Sequence, residues 1–182
     1  MALVGGSFNP PHLGHVLLAA AAMARAEPDE VWLVPAWRHV FGKVLAPFEA
    51  RLRMVELAVD PLGSRFRASR IEAEAAAWGS SGSTIELLEW LRGRNPTHRY
   101  LLVLGADVWA ERDRWRRFGE IESLVEILLV NREGQPGLAG AGPPLPAISS
   151  TEVRRRLAAG EPLDGLLPAS VERYAREHAL YR

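Results

Sequence analysis

A short apolar run, Ala2-Leu3-Val4, passes through Gly5-Gly6-Ser7-Phe8-Asn9-Pro10-Pro11 into His12-Leu13-Gly14-His15 and then into helix-forming residues up to Ala24. That order confines the chain to a strand, a tight loop and a helix in direct succession. The apolar run suits a buried strand, the paired glycines permit a tight turn with close backbone approach, and the apolar spacing from Leu13 to Ala24 predicts a helix. Unpaired amides in the first turn of that helix, together with the positive end of its dipole, favour an anion and above all a phosphate. His12 and His15 fall on one face of this turn, and each adds a donor. Gly14, lacking a side chain, leaves room for a base or ribose against the turn. Two solvated histidines at an ordinary helix start are the alternative, and the complete strand, glycine and histidine order argues against it.

Short apolar runs recur between helical patterns. Val31-Trp32-Leu33-Val34 reads as a strand, Leu52, Val55, Leu57 and Ala58 suit an amphipathic helix between Phe48 and Val59, and Phe66 opens a short strand. Ile85, Leu88 and Leu91 share one face of a helix from Thr84 to Leu91, closed by Gly93 to Pro96. Tyr100 to Leu104 and Val125 to Val130 read as buried strands. This alternation predicts an α/β fold: a Rossmann-like, doubly wound parallel sheet with helices on both faces, right-handed crossovers and ligands at the carboxyl ends of the strands. Its 182 residues suffice for one domain, 1–182, with a helical C-terminal part from about 149 packed on it. Ser149 or Ser150 caps a helix through about Ala159, and Pro168 begins another toward His178. Between them and the last strand, residues 134–147 form a Gly/Pro/Ala-rich loop that reads as a flexible connection within the domain. Gly137, Gly140 and Gly142 lack the spacing of a dinucleotide loop and have no helix directly behind them.

Charge and composition narrow the partners. Twenty-two basic and 22 acidic residues balance, so no long-range field draws nucleic acid and any anion site is local. The absence of cysteine removes disulfides, thiolate metal sites and cysteine nucleophiles. There is no apolar run of membrane-spanning length and no signal-peptide pattern before the first strand, which makes the cytoplasm the expected compartment and a membrane an unexpected partner.

A second chemical segment is Ile148-Ser149-Ser150-Thr151-Glu152-Val153-Arg154. Hydroxyls and amides at a helix start bind phosphate, and the Arg154 guanidinium fork matches phosphate oxygens. Taken alone, a serine followed by Glu152 and a periodic helix is equally a capping arrangement. Its pairing with the first segment favours phosphate.

With both segments in place, the chain resembles the nicotinate or nicotinamide mononucleotide adenylyltransferases of the HxGH nucleotidyltransferase superfamily. The resemblance spans nearly the full length. It rests on residues 5–15, on Gly105-Ala106-Asp107 with Trp115 following, and on residues 148–154; the tail with Leu163 to Leu167, Pro168, Val171, Tyr174 and Leu180-Tyr181 is similar too. The resemblance implies transfer of AMP from ATP to a pyridine mononucleotide, giving a dinucleotide and pyrophosphate. By similarity, His12 and His15 contact ATP phosphates, His15 nearest the α-phosphate, while Ser150 and Arg154, with Ile148, Ser149 and Thr151 around them, hold the triphosphate or the departing pyrophosphate. Gly5, Gly6, Ser7 and Phe8 meet the nucleotides, and Gly105 and Asp107 approach the adenosine ribose. Trp115 stacks on the pyridine ring. Thr84 and Arg132 are expected on the mononucleotide, although a plain helix cap explains Thr84 equally well. Arg112, Arg114, Arg116 and Arg117 read either as receivers of a nicotinate carboxylate or as a solvated face. Mg²⁺ is implied with ATP, and with no carboxylate cluster suited to a metal cage the ion is expected to ride on phosphate oxygens.

One region departs from the family pattern. Where nicotinate-type members often carry paired prolines before a histidine and a lysine, this chain has Pro35-Ala36-Trp37-Arg38-His39-Val40-Phe41-Gly42-Lys43. Residue types there leave acid and amide substrates both open. Lys43 is the only lysine among the 22 basic residues, and its compact ammonium suits an ATP phosphate oxygen that a planar guanidinium fits less well. Two further readings remain at this stage: another nucleotidyltransferase of cytidylyl or pantetheine-phosphate type, and a tRNA-synthetase-like nucleic-acid module, which neutral charge and short length disfavour.

Overall fold

A computed structural model describes residues 1–38 and 44–182. Lys43, expected at an ATP phosphate, and His39 lie outside the described residues. Five strands, β1 (Ala2–Gly6), β2 (Val31–Pro35), β3 (Phe66–Ala68), β4 (Leu101–Gly105) and β5 (Glu126–Val130), form one all-parallel sheet in the order β3-β2-β1-β4-β5. The helices among and after them are α1 (Leu13–Ala26), α2 (Phe48–Val59), α3 (Ile71–Ala77), α4 (Thr84–Arg94), α5 (Ala106–Ala110), α6 (Phe118–Leu124), α7 (Ser150–Ala159) and α8 (Ala169–Glu177).

Alternate side chains along the inner strands feed two cores. Leu3, Val34, Leu102 and Leu104 pack with Ile71 and Ala75 of α3, Ile85, Leu88 and Leu91 of α4 and Ile121 of α6. On the other face Ala2, Val4, Val31, Leu33 and Val103 pack with Ala19 and Ala22 of α1 and Val55 and Val59 of α2. Burial on both faces is why these strands read as unbroken apolar runs rather than alternating ones. A third core joins Met54 and Ala58 of α2 to Ile148, Val153, Leu157, Leu163, Leu167 and Val171, so the C-terminal helices seat on α2. The doubly wound, Rossmann-like sheet with helices on both faces is therefore as expected. Its strand order reverses between β1 and β4, and the carboxyl ends of these strands flank the crevice where open α/β sheets bind ligands.

Several boundaries shift. Helix α1 continues to Ala26, ending where Glu27 adopts a left-handed φ of 43° and its amide reaches the Met23 carbonyl. Helix α4 runs through Gly93 to Arg94, and α3, α5 and α6 are additions to the predicted set. The 134–147 segment, expected to be a flexible connection, is instead tied down. Arg25 donates to the carbonyls of Leu129, Gly140 and Ala141 at 2.7–2.9 Å. The Asn131 side chain accepts from Leu138 N–H at 2.8 Å and donates to the carbonyls of Leu138 and Gly142. Among the described residues no helix is long and apolar enough to cross a membrane.

Candidate active site

Two cavities meet at Ser7, just past the end of β1. The larger, of about 580 Å³, opens over β1, β2 and β4 and includes Gly6, Ala36, Glu72, Thr84 and Trp115 in its wall. The smaller, of about 350 Å³, is bordered by Ser7, Asn9, Leu45, Ser150, Thr151 and Arg154. One loop thus serves an apolar chamber on one side and a polar one on the other.

His12 and His15 stack with ring centroids 3.8 Å apart, and the His12 backbone N–H donates to His15 Nδ1 at 3.1 Å. That bond assigns the tautomer: with Nδ1 accepting, a neutral His15 carries its proton on Nε2. Burial first, then the neighbouring His12 and the Arg132 charge, hold the His15 pKa well below its ordinary value. Burial and Arg132 likewise bring His12 down to about 4. Both rings are neutral donors at pH 7. They suit stabilisation of growing phosphate charge without proton transfer. The Nδ1 of His12 is buried with no partner among the described residues.

Gly14 has a different neighbour from the one expected. A Cβ there would lie 3.0 Å from His12 Nδ1 and 3.1 Å from its Cε1, so the glycine makes room for the histidine ring. Phe8 also departs from expectation. Its side chain is fully buried and packs against the His15 ring at 4.7 Å, with a backbone φ of 45°. It supports the loop from beneath, and Phe8 is in the wall of neither cavity.

The second segment is bound to this loop. Ser149 caps α7, its Oγ accepting from Glu152 N–H at 3.2 Å. Ser150 Oγ donates to the Pro10 carbonyl at 3.0 Å, and Arg154 Nη1 donates to the Asn9 carbonyl at 2.7 Å. Capping and phosphate readings of these serines are therefore divided between neighbours: Ser149 caps, while Ser150, Thr151 and Arg154 border the smaller cavity.

At the end of β4, a Cβ on Gly105 would come 2.6 Å from Asp107 Oδ1, so the glycine allows the Asp107 carboxylate to fold back over the strand end. Arg132 bonds this carboxylate and the Ile148 carbonyl. It was expected on the mononucleotide, but it is absent from the wall of the larger cavity and its charge bears on the two histidines. Trp115 and Thr84, by contrast, both border the larger cavity. The Trp115 ring rests edge-on against Phe118 at 6.0 Å. Of the four clustered arginines, Arg114 and Arg116 reach the cavity, Arg112 covers the Trp109 ring and Arg117 pairs with Glu89 and Glu120.

A family model described as cytidylyltransferase-like matches residues 3–156. Among curated relatives, a protein of Anaeromyxobacter sp. (strain K) named "Probable nicotinate-nucleotide adenylyltransferase" is 48% identical over 100% of this chain and 96% of its own length. One of the same name from Myxococcus xanthus (strain DK1622) is 42% identical, covering 100% of this chain and 94% of the relative. The chain belongs to the nicotinate-nucleotide adenylyltransferase family. Its fold is shared with Plasmodium falciparum nicotinic acid mononucleotide adenylyltransferase complexed with NaAD, at a TM-score of 0.82 and 17% identity over 99% of this chain and 96% of that one.

Two side chains in this member of the adenylyltransferase family escaped sequence reasoning. Arg51 is almost wholly buried behind Ser7. Glu72, at the start of α3, borders the larger cavity and accepts from Trp37 N–H at 2.8 Å. Burial pushes the Glu72 carboxyl up to about 7, against the Trp37 N–H and the Arg51 charge, which pull it down. A raised carboxyl pKa means that the folded state holds its proton more tightly than the unfolded state, so stability falls as pH rises from about 4.5 through about 7. Glu72→Gln removes that loss. At about 1.4 kcal/mol per pKa unit the gain at pH 8 is on the order of 3–4 kcal/mol, which raises Tm by roughly 6–16 °C. Calorimetry checks it: the variant melts higher at pH 8 and level with the parent at pH 4, and an equal difference at both pH values contradicts the titration.

Proposed function

We propose that this protein transfers AMP from ATP to nicotinate mononucleotide, releasing pyrophosphate and forming deamido-NAD in NAD biosynthesis. The observation that carries the reading is the pair of cavities joined at Ser7, one with an aromatic wall and a helix N-terminus, the other with Arg154 and α7 hydroxyls. The mononucleotide phosphate oxygen attacks the α-phosphorus, the new P–O bond forms in line, and the bond to the β-phosphate oxygen breaks with its electron pair leaving on pyrophosphate. No covalent bond to the protein is needed. Positioning and charge stabilisation are the whole task.

In this reading His15 Nε2–H meets the α-phosphate and His12 a neighbouring oxygen, while Gly5, Gly6 and Ser7 offer main chain. Ser150, Thr151 and Arg154 hold the β- and γ-phosphates, and Asp107, oriented by Arg132, takes the adenosine ribose. Lys43 adds a phosphate contact. Magnesium enters as part of the ATP substrate; among the described residues no cluster of three or more His, Asp or Glu side chains is arranged to hold a metal ion. The cytoplasm, where ATP is available, is the compartment that the reading implies.

The acid is favoured over the amide by charge. Ser83 and Thr84 bring the N-terminus of α4 to the larger cavity, beside Arg114 and Arg116. A carboxylate gains from that helix end what a neutral amide does not, while Arg116 is paired with Glu86 and Arg114 with Glu111. Pyrophosphate release is measured with ATP and nicotinate mononucleotide, then with nicotinamide mononucleotide, then with CTP replacing ATP. The first pair turns over fastest. Equal or faster turnover with the amide, or with CTP, sinks the assignment.

Trp115 supplies a separate check. Its replacement by Ala removes a stacking surface of about 1–3 kcal/mol, raising the mononucleotide KM by roughly 5- to 150-fold and leaving the ATP KM near its parent value. Steady-state kinetics in both substrates decide it, and equal rises point to a damaged fold instead.

A further inference from the structure

Arg51 lies in α2 with 1% of its surface exposed. Among the described residues its guanidinium hydrogen-bonds to main-chain carbonyls, Nη1 donating to Ser7 at 2.8 Å, Nη2 to Ala36 at 2.8 Å and Nε to Ala46 at 2.9 Å, and it lies 5.5 Å from the Phe48 ring centroid. None of these acceptors is charged. Packing alone does not call for a cation here, since an apolar side chain of similar volume often serves stability as well or better than buried charge.

The three carbonyls have a common property. Ser7 borders both cavities, Ala36 borders the larger, and Ala46 directly follows Leu45, which borders the smaller. A second bond, Ala36 N–H to the Gly6 carbonyl at 2.9 Å, ties the same two segments beside the first. We infer that Arg51 is a positioning residue that fixes the spacing between the mononucleotide subsite and the triphosphate subsite. This rests on the adenylyl-transfer reading above. In-line transfer needs the attacking oxygen within about 3–3.5 Å of phosphorus, and an error of about 1 Å costs on the order of 100-fold in rate. A rigid planar fork holds three carbonyls in fixed relation, which the single ammonium of lysine does not.

The test compares Arg51→Lys with Arg53→Lys, an exposed neighbour on the same helix paired to Glu56. Four quantities are read: kcat, the Kd of a non-hydrolysable ATP analogue, the Kd of nicotinate mononucleotide, and the Kd of the dinucleotide product. For Arg51→Lys, kcat falls by about 100-fold, and each separate substrate binds within about threefold of the parent because each subsite survives. The dinucleotide, which gains from both subsites only when their spacing matches its own, binds about tenfold or more weakly. Arg53→Lys changes none of the four. A uniform loss across all affinities makes Arg51 a fold residue only and overturns the inference, as does an unchanged kcat. In the unmutated protein, the Arg51 Nε–H proton resonance exchanges slowly and shifts on adding either substrate alone. A resonance indifferent to one of them overturns the inference even if Arg51→Lys fails to fold. Should the unmutated protein make no dinucleotide, the functional reading fails; should it do so while Arg51→Lys works normally, only the spacing role fails.

Discussion

His15→Ala lowers kcat by about 100- to 1000-fold while changing the mononucleotide KM little. The magnitude is that of one preorganised donor removed from a developing charge, about 2.7–4 kcal/mol. The direction follows from the tautomer. Because His12 N–H occupies His15 Nδ1, the proton sits on Nε2 and is available before the reaction begins. Because burial, the neighbouring His12 and Arg132 keep His15 far from protonation, it acts through its dipole and not by giving up a proton. His15→Gln therefore recovers part of the loss, its amide N–H₂ replacing the donor. The pH profile of kcat shows no limb near 6.5 in the parent that disappears in His15→Gln. Such a limb, or a kcat for His15→Ala close to that of the parent, removes the histidine from the transition state.

What could be read from the chain depended on how local its cause was. Strands β1 and β4 were legible because burial on both faces leaves an unbroken apolar run, and α2 because its stripe repeats with a helical period. Helices α3 and α6 were not, since each is short and contributes one or two buried side chains, Ile71 with Ala75 in the first and Ile121 in the second. The same distinction governs the site. His12, His15, Ser150 and Arg154 sit in contiguous segments whose amides, hydroxyls and charges point to phosphate by themselves. Arg51, in Arg51-Leu52-Arg53-Met54, looks like one more solvated charge on an amphipathic helix. Only folding brings it to carbonyls 44 and 15 residues away. Glu72 was hidden for the same reason, its partner Trp37 being 35 residues back in the chain. The Phe8 ring and the space at Gly14 concern packing within the loop, which residue type does not report.

Arg154→Ala lowers kcat/KM for ATP by roughly 30- to 700-fold and leaves the mononucleotide KM nearly unchanged. Three consecutive arginines occupy α7, and their surroundings separate them. Arg155 is held by Glu152 and Glu161, and Arg156 by Glu152. Among the described residues Arg154 makes no ion pair; it donates to the Asn9 carbonyl at 2.7 Å and to Thr151 Oγ1 at 3.3 Å, both at the smaller cavity. Its charge is oriented but not neutralised, which is the state a cation needs to receive a polyphosphate. Removing one partner of a desolvated charge pair costs about 2–4 kcal/mol, and that range gives the stated factor at 1.4 kcal/mol per tenfold. Arg154→Lys keeps the charge without the fork and recovers part of the activity. The reverse reaction makes the assignment specific. With dinucleotide and pyrophosphate as substrates, Arg154→Ala raises the pyrophosphate KM more than the dinucleotide KM, because the group that holds the departing anion also receives it on return. A larger rise for the dinucleotide moves Arg154 away from the pyrophosphate and leaves the smaller cavity without its cation.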